Sequence, residues 1–247
     1  MAKSEKTWSA GPLRIRVTTD VPESAPRERL TRERIVDVAL AQMKERGYEA
    51  VSMRSIAKEL GTGQASLYAH VANREELDQL VVDRIAALMP HPEPDPERWD
   101  EQVVDFLHDA LAIYREHPGS ARAAMGMIPT MPGALRNAED LMGICLAGGV
   151  PEQYASWACD MFALYVGAVA VEEDIWADRL RTGPEGRSYS EEAVVAAVRE
   201  HFAALPPEQY PILSSLAEVM TTGTGEERFD FGVRLLVAGL KAVSQRS

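Results

Sequence analysis

Cysteine is nearly absent: only Cys145 and Cys159 occur in 247 residues. Both lie in apolar, helix-patterned stretches, and neither has partners at metal-ligand spacing. That usage points away from a disulfide framework and toward a reducing compartment. Aromatic residues make up only 6% of the chain. No apolar run reaches the roughly 18 residues of a membrane-spanning helix. The opening segment MAKSEKTWSAGPL has no apolar signal core, so a cytoplasmic protein is expected. Strand-like alternation is confined to LRIRV at 13–17, which has no evident partner. There is no internal repeat, no low-complexity tract, and no GxSxG, HExxH or P-loop. The five histidines are scattered, and His108 reads as a partly buried, satisfied side chain on an amphipathic helix.

What is present is helical. At 46% hydrophobic the chain can bury a real core. The formal net charge is −12, but it is uneven. Residues 1–74 carry 13 Lys and Arg against 9 Asp and Glu, whereas residues 75–247 carry 13 against 29. A locally basic segment on an acidic body is what matters for phosphate contact. Residues 1–30 read as a flexible arm, with Arg14 and Arg16 candidates for a DNA minor groove. From Thr31, a plausible N-cap, Ile35, Val38, Ala39, Gln42 and Met43 follow helical spacing to Gly47. Ser52 opens a second short helix that Gly61 closes, and a seven-residue run, QASLYAH, follows. Asn73 begins a longer helix with Glu76 at the capping-box position. PHPEPDP at 90–96 marks a boundary or redirection. Further helices are expected at about 98–116, 119–127, 132–147, 151–180, 190–204 and 226–245, with a short one before Thr221–Gly225 and a loop at 182–188.

Two short helices joined by a Gly-containing turn, with a leading helix across them, make a helix-turn-helix. Its second helix enters the major groove, so its outer face must be polar and short. Gln64 can read adenine, and Ser66 can meet base or phosphate. Tyr68 and His70 can donate to phosphates, and Leu67 alone faces inward. Arg54 is in reach of guanine or phosphate. Asn73 and Arg74 sit at a helix N-terminus that favours phosphate. GTGQAS at 61–66 partly mimics a dinucleotide fingerprint, but a helix (IAKEL) precedes it where a strand is needed.

Residues 31–77, ending in SLYAHVANREEL, resemble the TetR family of one-component repressors. RWDEQVVDFLHDAL, REHPGSARAA, LYVGAVAVEED and FDFGVRLLVAGLKAV resemble the ligand-binding domain of the tetracycline repressors, and together the likeness covers most of 31–245. The resemblance implies an all-α fold: a three-helix helix-turn-helix domain at 31–77, then a larger ligand-binding and dimerisation domain at 78–247. It implies a homodimer that releases palindromic operator DNA when a small molecule binds. It places Arg54, Gln64, Ala65, Ser66, Tyr68, His70 and Arg74 at operator-contacting positions. Ala65 and Ala69 replace a Pro and a Trp of the tetracycline repressors, which leaves the operator sequence open.

The candidate effector pocket comprises Met125, Met127 and Met131, with Phe106, Trp157, Met161, Phe162 and Tyr165, and Asp140 as a polar anchor. Methionine gives such a cavity plasticity. Ala124, Met127 and Val171 stand at the positions where tetracycline repressors hold a magnesium–drug chelate, with Glu172 one residue out of step. Ala and Met cannot ligate a hard cation. No metal or cofactor is therefore expected, and the ligand is expected to be larger and more apolar, such as an antibiotic or its intermediate. Leu164, Ala168 and Ile175, with Phe229, Val233, Leu236 and Leu240, form stripes that the resemblance assigns to a four-helix dimer interface, with Gly232 and Gly239 allowing close approach. Alternative readings are an activator or a ligand-independent regulator of the same family, and, from another class, an all-α carrier or enzyme with no DNA role.

Overall fold

The computed structural model describes residues 6–10, 13–17, 29–183 and 188–245. Two compact units result, one N-terminal to Thr31 and one from Thr31 onward. In the first, β1 (Lys6–Ala10) pairs antiparallel with β2 (Leu13–Val17), with Trp8 opposite Ile15. The LRIRV strand therefore does have a partner, the segment immediately before it. The rest of the expected arm lies outside the described residues.

The second unit is all-α. Helix α1 (Arg32–Arg46) starts where the Thr31 hydroxyl accepts from the Arg34 N–H, and stops at Gly47. A single 3-10 turn at Tyr48–Ala50 leads to α2 (Met53–Glu59), capped by Ser52 through a reciprocal bond with Ser55. Gly61, at φ +63, ends α2 in the left-handed conformation. The turn closes as the Thr62 N–H reaches back to the Ala57 carbonyl. Helix α3 (Gln64–Tyr68) has one turn and one buried side chain, Leu67. It survives because Leu67, and Val71 just beyond it, are fully buried and α3 packs on α2. A buried polar link ties α1 to α2: Gln42 donates to Glu59 and accepts from the Ser55 hydroxyl.

Helix α4 (Arg74–Ala86) is capped by Asn73, whose side chain accepts from the Glu76 N–H. The Glu76 carboxylate accepts in return from the Ala72 N–H, one residue before the cap. The expected division after Leu77 falls inside α4, which packs on α1 and also on α6 and α7. The remaining elements are α5 (Trp99–Glu116), α6 (Ser120–Ala124), α7 (Pro132–Ala147), α8 (Glu152–Arg181), α9 (Glu191–Ala203), α10 (Pro211–Ser215), α11 (Ala217–Met220) and α12 (Gly225–Ser244). The short helix expected before Thr221 is thus two, and residues 184–187 of the expected loop lie outside the description. Helices α5, α7, α8 and α12 enclose the main core around Val103, Leu107, Leu111, Ile144, Phe162 and Phe229. Helix α8 is long and apolar enough to cross a membrane by length and composition, yet it packs against α5, α6, α7 and α12. Helices α9 to α11 pack mainly on one another, and α9 buries no residue.

Candidate functional site: a reading helix and an apolar cavity joined by two helices

Helix α3 turns its polar side outward. Gln64, Ala65, Ser66 and Tyr68 are exposed while Leu67 is completely buried. Arg54, on the first turn of α2, is exposed too. His70 is half-buried, with its carbonyl accepting from Arg32. Asn73 is exposed, but its side chain is occupied as a helix cap.

Arg74 departs from expectation. Its guanidinium turns inward, stacking on Tyr48 at 4.3 Å and bonding the Val51 carbonyl and the Asp78 carboxylate. Asp78 is 7% exposed and also accepts from the Tyr48 hydroxyl at 2.8 Å. Burial and this bond to Asp78 push the Tyr48 phenol upward. Arg74 therefore belongs to the network that locks the Tyr48 turn, the Val51 segment before α2 and α4 together. Sequence position could not reveal this, because an arginine at a helix start suits phosphate equally well.

A cavity of about 550 Å³ lies between α4, α5, α6, α7 and α8. Phe106, Met125, Met127 and Met131 line it, as the sequence suggested. The other suggested residues are elsewhere. Phe162 is 1% exposed, in the packed core. Tyr165 stacks flat on Phe229. Trp157 and Met161 lie on the exposed face of α8, at 60% and 52%. Asp140 is held by His91 at 2.7 Å and by Arg136, which closes α7 onto the proline-rich segment. The assignments failed because a 3.6-residue period identifies an apolar face without saying what that face meets.

Residues missed at first include Tyr114, Asn137 and Cys159, all lining the cavity. The signal for Tyr114 was available: Phe106, Ala110, Ile113 and Tyr114 share one face of α5 at helical spacing. Cys159 meets Cys145 across α7 and α8. Their hydrogen bond and burial push the Cys145 thiol up, and the same bond draws Cys159 down against its own burial.

Two elements connect cavity and head. Helix α4 buries Leu77 and Val81 beside α1 and gives Gln79, Val82, Ile85 and Ala86 to the cavity wall. Helix α6 gives Ala121 and Ala124 to the wall, while Gly119 before it lies against Met43 and Tyr48. Arg122 of α6 pairs with Glu49 at 3.0 Å.

The stripe expected at a dimer interface divides. Leu164, Ala168 and Ile175 are exposed on α8. Phe229, Val233 and Leu240 are buried within the chain's own core, and Leu236 is partly buried against it. The large apolar residues that α12 leaves most exposed are Phe231 and Leu235, at 69% and 61%. Gly232 also faces inward, onto Tyr165, whereas Gly239 faces open space. Among the described residues, no group of His, Cys, Asp and Glu is arranged to hold a metal ion.

Comparison with known proteins gives this geometry a family. Residues 35–79 match the model for bacterial regulatory proteins of the tetR family, and residues 91–244 match the tetracyclin repressor-like C-terminal domain. The transcriptional repressor DrrR1 of Streptomyces coeruleorubidus is 28% identical over 91% of this chain and 83% of its own length. The class D tetracycline repressor protein of Escherichia coli is also 28% identical, over 86% of this chain and 90% of its own. The TetR family protein ActR of Streptomyces coelicolor, in complex with actinorhodin, superposes with a TM-score of 0.75 at 34% identity, over 88% of this chain and 98% of that one. An exposed polar reading helix, a second helical region built around a cavity, and two family models that together span most of the chain lead to one conclusion: this protein belongs to the TetR family of transcriptional regulators, with a helix-turn-helix DNA-binding part and a ligand-binding C-terminal part.

Proposed function

We propose that this protein is a cytoplasmic, homodimeric repressor that holds a palindromic operator until a small, largely apolar molecule enters the cavity. One observation carries the reading. Helices α4 and α6 each contribute to the cavity wall and each pack on the head. A ligand that spreads the cavity must therefore shift these helices or be excluded. Its effect on DNA binding equals its differential affinity for the two arrangements. The relatives support this direction: DrrR1 carries the name of a repressor, and ActR binds actinorhodin.

The reading face is Arg54, Gln64, Ala65, Ser66 and Tyr68, with His70 and Asn73 at its border. Tyr68 is half exposed, at 50%, with its hydroxyl free to meet a phosphate. The dimer would use the outer faces of α8 and α12, where Trp157, Met161, Leu164, Phe231 and Leu235 are large apolar side chains left exposed on the protomer. Pairing there would set two reading helices about one DNA turn apart, roughly 34–36 Å.

The test is selection of bound duplexes from a random pool, with affinity followed against salt. An inverted repeat, with a salt slope reporting several phosphates, supports a dimeric operator-binding protein. Absence of any sequence preference in protein shown to be free of bound small molecules refutes it.

A further inference from the structure

The effector cavity contains polar atoms that the fold leaves unused. Tyr114, half-buried, lines it from α5, and its hydroxyl has no hydrogen-bond partner among the described residues. Burial alone pushes its phenol above the usual range, with no neighbouring charge or bond contributing. Across the cavity, the Asn137 amide nitrogen donates to the Ala86 carbonyl at 3.0 Å, which fixes the side chain and leaves its buried oxygen unpartnered. Buried polar groups are normally satisfied, and an unmet one costs on the order of 1–3 kcal/mol. The Asn137 oxygen is such a group, and the unbonded Tyr114 hydroxyl on the same cavity stands beside it as a second polar atom the fold does not use.

The wall also limits charge. No Lys, Arg or His lines the cavity, and its one carboxylate, Asp160, is exposed at the edge. An anion placed inside would lose its hydration with no counter-charge to replace it. The remaining wall is mostly aliphatic, aromatic and methionine, with Gln79, Thr130 and Cys159 as uncharged polar exceptions.

We propose that Tyr114 is the hydrogen-bonding anchor of the cavity, and that the ligand is an uncharged, bulky apolar molecule presenting a carbonyl or similar acceptor oxygen to the Tyr114 hydroxyl. This rests on reading the cavity as the effector site. Tyr114 acts by donating its proton in a hydrogen bond inside a largely apolar cavity, where such a bond is electrostatically stronger than in bulk water. Phe106 and Ala110, on the same face of α5, supply the flat surface beside it.

The test uses two probes of one skeleton, fluorenone and fluorene, which differ at a single carbonyl. Binding of each to the full-length protein and to Tyr114→Phe is measured by equilibrium dialysis, and the carbonyl stretch of bound fluorenone is followed by infrared spectroscopy. Tyr114→Phe is expected to weaken fluorenone about three- to tenfold and to leave fluorene unchanged or slightly tighter. The bound carbonyl stretch should move to higher frequency in the variant as the hydrogen bond is lost. Equal changes for the two probes, or an unmoved stretch, overturn the role of Tyr114 while leaving the effector cavity standing. If neither probe binds the wild-type protein, the cavity reading itself fails, and the anchor with it.

Discussion

Arg54 and Arg74 are both arginines at helix starts in the head, yet the structure turns one outward and the other inward. Arg54 is exposed and has no ion pair or hydrogen bond among the described residues. Replacing it with Ala removes nothing the fold uses, so stability should stay within about 0.5 kcal/mol of wild type. Operator affinity should fall by about 1–3 kcal/mol, roughly 5- to 150-fold. If Arg54 meets a phosphate, the salt slope should fall by about one unit as well. Arg74→Ala removes the stacking on Tyr48 and the bond to Val51, and strands Asp78, whose side chain is only 10% exposed. Breaking a fully buried pair costs about 3–5 kcal/mol. Arg74 is itself 34% exposed, so solvent screening reduces this to about 2–3 kcal/mol. In a chain of this size that lowers the melting temperature by roughly 5–10 °C. Thermal unfolding by circular dichroism and fluorescence anisotropy with labelled operator, at one salt concentration and below both melting points, separate the two effects. An Arg74→Ala protein as stable as wild type, with reduced affinity and a smaller salt slope, would show that Arg74 meets DNA and that its inward placement is irrelevant.

Other outcomes can be checked directly. Phe231→Glu with Leu235→Glu places two charges on the exposed side of α12; sedimentation should show protomers, with each protomer's helicity kept, and dimers surviving the change would move the interface elsewhere. A Cβ at Gly232 would stand 2.0 Å from the Tyr165 hydroxyl oxygen. Gly232→Ala should therefore destabilise by about 1–2 kcal/mol, as Tyr165 gives up its stacking on Phe229. In a Tyr165→Ala background the same change should stabilise by about 0.5–1 kcal/mol, because only helix propensity remains. Denaturant titration of the four proteins tests this, and an unchanged sign means the two residues do not meet. Glu226 is held below its usual 4.5, chiefly by its bond to Arg115 and against partial burial. Its contribution is present above pH 4.5 and is lost as pH falls through the lowered value. The difference in melting temperature between wild type and Arg115→Met should accordingly shrink on acidification, and a constant difference would mean that another group carries the effect.

Much of this was legible along the chain because its causes are local. Thr31, Ser52, Asn73 and Ser190 each cap the helix they precede, and a cap needs only a short polar side chain next to free N–H groups. Gly61 closes α2 because few other residues adopt its backbone angles. The outward face of α3 follows from a five-residue helix with a single apolar anchor. The cavity and the surface were not legible in the same way. Trp157 and Phe162 lie in one apolar helix five residues apart, yet one is 60% and the other 1% exposed. Only the neighbours of α8 separate them.

The sequence by itself determined most of the helices, their caps, the helix-turn-helix and the family, since each depends on residues within a turn or two of one another. Tertiary structure alone decided which apolar stripe is core and which is surface, that Arg74 turns toward Asp78, and that Tyr114 and Asn137 share one cavity with unused polar atoms. Those outcomes depend on contacts between residues far apart in the chain, and helical periodicity carries no record of the partner a face will meet.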